Sequence, residues 1–366
     1  MTLIATLNDG KCPGILGDLL VSGNERSDTV PNIPLVGDVT NVFPIGSEYS
    51  IVGLRQKVIV IAGNCVIAWS GVYVFARSIV RELRELASQS SLTLQTIQQY
   101  FSNLDSTVGN EVSFVGLLQD DNAFHQFFYN AETAESSMFG RMNAAGSGGA
   151  PFLSLAGGLE PRAAKISGRD INSLERTVSS MLMATGIMLQ AELSSQRNLL
   201  HYFGGGYELA TFVDGRFAKV GDIMFIFWHA EVGEDGVGLG PRAAFKQDYS
   251  NDILLIHALR IQPARGVHDA PSVEDSKYVV SPVDQNIDQA QARALQWPGL
   301  NSTFTCHVVL IPVADSFAVF TRIDYSADRT PKGIQFISTE AHVAVGVDPN
   351  FVRKLAESIR AGYRPQ

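Results

Sequence analysis

The sequence predicts an α+β fold in which two antiparallel sheets pack together and helices cover their outer sides. A hairpin pattern occupies residues 2–22, two helical stretches follow the next strand pair, and a second hairpin pattern occupies residues 207–220. Helices grouped between antiparallel hairpins are typical of layered folds, because each sheet has one face to bury on its partner and one to cover.

The first strands begin near the amino terminus. Residues 2–7 are apolar, and Asn8-Asp9-Gly10 predicts a tight turn, since glycine tolerates a positive φ angle. The segment up to Ser22, which contains Asp18, should then return antiparallel. Two further strands are predicted at residues 57–61 and 65–71, around a turn at residues 62–64.

Helical spacing follows these strands. Residues 72–88 place Phe75, Ile79, Leu83 and Leu86 on one apolar stripe, which predicts an amphipathic helix. Residues 91–104 and 170–200 predict two more helices. Strands are expected at residues 111–119 and 123–130, followed by a glycine-rich turn at residues 142–149.

Residues 222–366 differ in pattern, so we divide the chain into residues 1–221 and a β-rich extension or second domain. Six strands and a final helix at residues 349–361 are expected there. Two stretches, residues 233–249 and 262–298, are polar and predict long loops. The role of this region stays open.

Composition excludes several classes of function. The 45% hydrophobic content indicates a folded core, and a net charge of −9 without a basic run argues against nucleic acid. Cys12, Cys65 and Cys306 are too widely spaced for a zinc cluster, and neither a metal nor another cofactor is expected. No signal peptide and no membrane span is predicted, so we expect a cytoplasmic protein.

Four residues form a candidate catalytic group. Thr2 becomes the amino terminus if Met1 is removed, and a terminal threonine supplies both a nucleophile and an amine base. Hairpin geometry should bring Asp18 close to it. Lys57 opens a buried strand and can polarise the hydroxyl, and Ser147 lies in a turn able to aim polar groups at one point. Taken singly, each also fits an ordinary structural role.

The order of these residues resembles the proteasome β-subunit family and its bacterial ring-peptidase relatives, over residues 1–220. In that family a terminal threonine begins the first strand and an aspartate follows on the second. A lysine then precedes an apolar strand pair ending in Ser-Gly, and a Gly-Ser-Gly turn comes later. The corresponding residues here are Thr2, Asp18, Lys57, Ser70-Gly71 and Gly146-Ser147-Gly148.

This resemblance implies a four-layer αββα amino-terminal-nucleophile (Ntn) hydrolase sandwich and a threonine-type peptidase or amide hydrolase. Thr2 would be the nucleophile, tuned by Asp18 and Lys57, while Ser147 supports the amine. A backbone amide near Gly71 would stabilise the oxyanion, with Ser70, Gly146 and Gly148 lining the site. It also implies a peptide or amide substrate and a homo-oligomer, with a ring as one form.

Some positions depart from the family pattern. Aligning the first hairpin on its turn places Met1, not Thr2, at the nucleophile position, and a slip of one residue turns every strand side chain over. Leu20 stands where the family has a basic residue, and His201 stands near the place of a later aspartate. A catalytically inactive structural or assembly protein therefore remains an alternative. A different Ntn-type amidase or an unrelated α/β binding protein is a third hypothesis.

The remaining motifs suggest weaker sites. Gly204-Gly205-Gly206 could cradle a phosphate but lacks the strand–GxGxxG–helix context of a nucleotide site. The histidines show no metal-ligand spacing, and Cys306-His307 in an apolar strand favours core packing.

Overall fold

The structure is a computed structural model, and it describes residues 2–8, 12–24, 32–39, 42–43, 49–159, 172–233, 236–262, 272–313, 316–338 and 343–362. It contains both helices and strands and separates into two compact units. The first contains the described residues up to 159, those from 172 to 220, and residues 280–294. The second contains the described residues of 221–279 and those from 295 onwards.

The first unit begins with eight strands, and most of its helices follow in groups between the later strands. The strands are β1 (Ile4–Asn8), β2 (Gly14–Asp18), β3 (Leu20–Gly23), β4 (Asn32–Ile33), β5 (Gly37–Asp38), β6 (Ser50–Leu54), β7 (Val58–Ala62), β8 (Cys65–Gly71), β9 (Val112–Asp120), β10 (Ala123–Tyr129), β11 (Glu132–Ser136), β12 (Gly140–Ala145), β13 (Tyr207–Val213) and β14 (Arg216–Lys219). The helices are α1 (Tyr73–Gln89), α2 (Leu94–Ser102), α3 (Ser106–Gly109), α4 (Gly149–Gly158), α5 (Ser173–Ser195), α6 (Arg197–Leu200) and α7 (Gln289–Ala294).

Two sheets form the centre of this unit. One has six strands in the order β11-β12-β1-β2-β13-β14, and the other has four in the order β10-β9-β8-β7. Their facing side chains make a shared apolar cluster that includes Ile4, Ile15, Val66 and Val115. The alternating apolar residues of each strand produce this core, since successive side chains point to opposite faces.

Helices cover the outer faces of the two sheets. α1 contacts β7 and β8, and α2 contacts β10, whereas α4 contacts β11 and β12, and α5 contacts β2 and β13. α1 buries Ile79 and Leu83 of the predicted stripe, together with Ala76 and Val80. α5 begins with a capping box in which Asn172 and Glu175 exchange hydrogen bonds with each other's backbone.

Most element predictions for this unit agree with the structure. β1 and β2 pair antiparallel, and α1 and α2 lie where the apolar spacing placed them. The Asp9-Gly10 turn lies outside the described residues. The helix predicted over residues 170–200 is interrupted at Gln196, which adopts a left-handed conformation with φ 53° between α5 and α6. The predicted turn at residues 142–149 contains the end of β12 and begins only at Gly146.

The second unit is built on one mixed six-stranded sheet. Its elements are β15 (Ile223–Gly233), β16 (Gly236–Ser250), β17 (Ile253–Gln262), β18 (Ser272–Val280), β19 (Phe304–Val313), β20 (Ser316–Tyr325), β21 (Ile334–Ser338), β22 (Val343–Val347) and α8 (Pro349–Gly362). The sheet order is β18-β17-β16-β15-β19-β20, with β15 and β19 parallel. α8 packs with the β21–β22 hairpin on one face, in a cluster with Ile226, Trp228, Phe351 and Leu355.

Both predicted long loops are wrong. Residues 233–249 contain most of β16, whose first half is rich in glycine and partly exposed, so it lacks the apolar alternation of a buried strand. Residues 262–298 contain β18, an edge strand with charged exposed residues, and the short helix α7. His342, predicted to begin β22, lies outside the described residues.

The division predicted at residue 221 stays a prediction. The chain leaves the first unit after Val220, but residues 280–294 return to it. Within that unit, Val283 is fully buried in the apolar cluster beneath α1.

Candidate active site

The site begins at Thr2, just before β1. β1 and β2 pair with Ile4 opposite Gly17, which brings Thr2 beside Asp18 at the end of β2. The Thr2 hydroxyl donates a hydrogen bond to Asp18 Oδ1, and the Leu3 amide donates to the same oxygen at 3.0 Å. Thr2 and Asp18 are both buried. The Thr2 side chain is therefore held by a carboxylate on the strand that pairs with β1.

Lys57, just before β7, completes the group. Its Nζ donates to Thr2 Oγ1, to Asp18 Oδ1 at 3.2 Å and to the Leu20 carbonyl at 2.7 Å. The side chain is 2% exposed. Burial lowers the pKa of Lys57 from its ordinary value, and the neighbouring Asp18 carboxylate opposes that shift. An ammonium that donates to a hydroxyl stabilises the alkoxide form of that hydroxyl.

The turn at residues 146–148 lies against the backbone of Thr2. The Gly148 amide donates to the Thr2 carbonyl at 3.0 Å. Gly146 has φ +83°, and a Cβ atom there would overlap the Thr2 carbonyl, so only glycine fits this close approach. Ser147 Oγ is buried, and within the described part of the chain it has no hydrogen-bond partner. The backbone of this turn is thus fixed against the backbone of Thr2.

Ser70 and Gly71 end β8 on another side of the site. Ser70 is buried, and its Oγ would lie 3.0 Å from a Cβ atom placed on Gly146. Gly71 has φ +105°, and a Cβ atom there would overlap the Glu111 carbonyl. The structure therefore brings the strand end and the turn at residues 146–148 together around Thr2.

A cavity of about 470 Å³ opens beside these groups. Thr2, Lys57 and Gly71 line it, together with Leu20, Val21, Ser22, Asn24, Tyr49, Trp69, Val72, Tyr73 and Glu111. Its wall is largely apolar and aromatic, with one acidic side chain. The Lys57 ammonium lies 5.4 Å from the centre of the Trp69 ring.

Two buried glutamates support the site, and the sequence did not identify either one. Glu208 on β13 accepts hydrogen bonds from the Lys57 amide at 2.6 Å and the Val58 amide at 3.0 Å. It also pairs with Lys219 Nζ at 3.2 Å. Glu208 therefore fixes the backbone from which the Lys57 side chain extends.

Glu192 on α5 lies behind Asp18. The Gly204 amide donates to Asp18 Oδ2 at 2.8 Å, and the Gly205 amide donates to Glu192. Burial raises the pKa of Glu192 to about 8, and the charge of Asp18 adds to that shift. The triglycine segment considered above as a phosphate cradle thus binds two carboxyl groups of the protein itself.

One feature of the sequence could have identified these two glutamates, because each is a charged residue in an otherwise apolar pattern. Glu208 interrupts the apolar strand β13, and Glu192 lies on a helix that buries much of its surface. His201, which stands near the place of a family aspartate, is exposed at the end of α6.

Among the described residues, no group of three or more histidine, cysteine or acidic side chains could hold a metal ion. None of the described helices has the length and apolarity needed to cross a membrane.

Comparisons with known proteins add one structural similarity. No protein-family model matches the chain, and no curated protein matches it. The crystal structure of eukaryotic HslV from Trypanosoma brucei matches with 14% sequence identity and a TM-score of 0.34. The match covers 57% of this chain and 98% of that one. At this TM-score the similarity supports neither fold nor function.

Proposed function

We propose that the protein is an amide hydrolase or peptidase of the proteasome type, with Thr2 as nucleophile after removal of Met1. One observation carries the proposal: the Thr2 hydroxyl donates to Asp18 and accepts a hydrogen bond from Lys57, and Thr2 is one of the residues that line a cavity. The helix–sheet–sheet–helix order of the first unit is consistent with the four-layer Ntn-hydrolase sandwich. The geometry at Thr2 favours the alignment in which Thr2, not Met1, is the nucleophile.

The chemistry begins when loss of Met1 frees the α-amine of Thr2. An α-amine has a reference pKa near 8, so at neutral pH part of it is unprotonated and can accept the hydroxyl proton. The Thr2 oxygen then attacks the substrate carbonyl while the Lys57 ammonium stabilises its developing negative charge. Ser147 Oγ, unpartnered within the described chain, is available to the amine.

The tetrahedral intermediate places negative charge on the former carbonyl oxygen. A backbone amide at Gly71, at the cavity wall, is suited to stabilise that charge. When the intermediate collapses, the α-amine gives its proton to the amine product, which leaves. An ester remains on Thr2. Water then hydrolyses the ester with the α-amine as base. No cofactor is needed for any of these steps.

The first test is chemical labelling of the purified protein. Mass spectrometry should show loss of Met1, and a β-lactone or peptide epoxyketone should add once, at Thr2. Thr2→Ala should abolish the addition. Thr6→Ala is a matched control, because Thr6 is another buried threonine of the same chain segment, and should leave labelling intact. Retention of Met1 on all molecules would rule out the mechanism.

The alternative is a catalytically inactive protein with a structural or assembly role on the same fold. It predicts no labelling of Thr2 by either probe, even in protein that has lost Met1. A different Ntn-type amidase would be labelled at Thr2 but would cleave small amides rather than peptides. The labelling experiment identifies the inactive protein, and comparing the cleavage of peptides with that of small amides identifies the amidase.

The proposal extends to assembly and location. A homo-oligomer, with a ring as one form, follows from the resemblance to ring peptidases, whereas the cytoplasmic location rests on the spacing of the three cysteines. A peptide or amide substrate follows from the same resemblance and from the largely apolar cavity. Light scattering of the purified full-length chain measures the oligomeric state, and a monomer at all concentrations would contradict the ring.

A further inference from the structure

The residue before Lys57 is held by a distant part of the chain. The Gln56 amide donates to the Ser281 carbonyl at 3.0 Å, and Gln56 Nε2 donates to the Val280 carbonyl at 2.6 Å. The Gln56 carbonyl accepts a hydrogen bond from Trp69 Nε1 at 3.2 Å. Gln56 is fully buried. Its backbone and side chain are thus both fixed by residues 280 and 281.

Those two residues belong to a segment that is itself firmly anchored. The Tyr73 hydroxyl donates to the Val283 carbonyl at 2.9 Å, and Val283 is fully buried in the apolar cluster beneath α1. Arg84 on α1 pairs with Asp284 at 2.6 Å. We call residues 280–286 the returning segment, because the chain comes back to the first unit there after leaving it at Val220.

The contacts continue from Gln56 to Lys57. Lys219 Nζ donates to Gln56 Oε1 and pairs with Glu208, which accepts the Lys57 and Val58 amides. Lys57 Nζ must reach three acceptors at once, namely Thr2 Oγ1, Asp18 Oδ1 and the Leu20 carbonyl. A displacement of about 1 Å in such a group can cost about 10²-fold in rate. The backbone at residues 56 and 57 therefore has little freedom to move without loss of that geometry.

From these contacts we infer that the returning segment positions Lys57 through Gln56, so that reactivity at Thr2 depends on residues 280–286. The inference rests on the proposed function. Gln56 is a positioning residue, because it acts on the reaction through the backbone of Lys57. Residues 280–286 belong to the C-terminal region whose role the sequence left open, and their role here is to position Lys57.

The Arg84–Asp284 pair provides a test that leaves the cavity lining unchanged. Arg84→Asp places two carboxylates together and should loosen the returning segment, whereas Arg84→Asp combined with Asp284→Arg restores an ion pair of reversed polarity. Glu82→Gln on the same helix is the control, since Glu82 contacts only Ser78 and Tyr100 among its described hydrogen-bond partners. All variants are made in the full-length chain.

Two quantities are measured for each variant. The first is the rate of Thr2 labelling by the β-lactone, separated into the maximal inactivation rate and the probe concentration that gives half of it. The second is amide hydrogen exchange in a peptide that spans residues 55–60. Arg84→Asp should lower the maximal rate about tenfold with the half-saturating concentration unchanged, and should speed exchange at Gln56 and Lys57. The double variant should restore both quantities, and Glu82→Gln should change neither.

Faster exchange with an unchanged labelling rate would overturn the inference, because the segment would then be only structural. Unchanged exchange would overturn it as well, since no coupling to Gln56 would exist. An altered half-saturating concentration alone would show an effect on probe binding, which also contradicts it. If the wild-type protein is not labelled at all, the proposed function fails, and the inference fails with it even where the exchange results show that the segment fixes Gln56.

Discussion

Each of the two compact units buries a lysine, and the two lysines have different surroundings. Lys57 in the first unit donates to a hydroxyl, a carboxylate and a carbonyl, and it lines a cavity. Lys246 in the second unit is fully buried and pairs with Asp222 and Asp248. Burial lowers the pKa of both lysines, while the adjacent carboxylates oppose the shift. The pKa shift alone therefore does not distinguish a catalytic lysine from a structural one.

The surroundings of the partner carboxylates make the distinction. Asp222 accepts hydrogen bonds from Thr303 and Arg329 besides its contact with Lys246. Burial opposes the ionisation of Asp222, but these hydrogen bonds outweigh it and lower its pKa to about 2. In the first unit, Asp18 and Lys57 both bind the Thr2 hydroxyl, a group that can react. The arrangement in the second unit holds opposite charges together, whereas that in the first unit directs them at the Thr2 hydroxyl.

The largest expected effect is on the rate of Thr2 labelling, and it distinguishes Lys57 from Lys246. Lys57→Met should lower the Thr2 labelling rate by about 10³-fold, near 4 kcal/mol, because the charge that stabilises the developing alkoxide is lost. Labelling kinetics with the β-lactone measure this, and circular dichroism checks that the fold is retained. A folded Lys57→Met protein that is labelled at the wild-type rate would contradict the assigned role.

Substitution of Lys246 should instead lower the stability of the protein. Lys246→Met removes one partner of a buried ion pair, and we expect a loss of about 3 kcal/mol in the free energy of unfolding. Urea unfolding measures the loss. At a urea concentration where the variant is still folded, Thr2 labelling should match the wild type within about twofold. A large loss of labelling in the folded variant would mean that the two lysines do not differ as described.

A third effect concerns Glu192, which is buried behind Asp18. Its folded pKa of about 8 lies above its ordinary value of 4.5, so the unfolded chain ionises first as the pH rises. The stability contributed by the protonated form is complete below pH 4.5 and is lost as the pH rises towards 8. Glu192→Gln should remove this loss, so the free energy of unfolding of the variant should exceed that of the wild type most at the upper end of this pH range. Thermal unfolding of both proteins across this pH range tests it, and parallel curves would contradict it.

The smallest effect is the pH dependence of labelling at high pH. Since burial lowers the pKa of Lys57, the fall in labelling rate should begin below its ordinary value of 10.5. Each further pH unit should cost about tenfold, or 1.4 kcal/mol. Lys57→Arg is the matched variant, because arginine stays protonated and should abolish this fall if its larger side chain is accommodated. An identical fall in both proteins would assign it to another group.

The sequence predicted the parts of this site that depend on local order. Thr2 precedes β1 and Asp18 ends β2, which pair in one sheet, whereas Lys57 precedes β7 in the sheet that packs against it. Glu208 and Gln56 could not be found in this way. Their partners lie 151 and 224 residues away along the chain, and no local pattern encodes contacts at such a separation.

The errors in the second unit have a related cause. β16 pairs along its length with β15, although its first half is glycine-rich and partly exposed. A strand whose backbone hydrogen-bonds to a neighbouring strand does not need an apolar alternation of its own, so its sequence can resemble that of a loop. Of the two units, the first was predicted better because its strands and helices carry their own periodic patterns.

The returning segment has a consequence for synthesis. The contacts of Gln56 with residues 280 and 281 cannot form until those residues have left the ribosome. Translation at about 5–20 residues per second makes the interval between Val220 and the end of α7 about 4–15 s. During that time the nascent chain already carries Thr2, Asp18 and Lys57 but lacks the support behind Lys57. A hydrolase built in this way would become reactive only late in its own synthesis, when most of the chain is outside the ribosome.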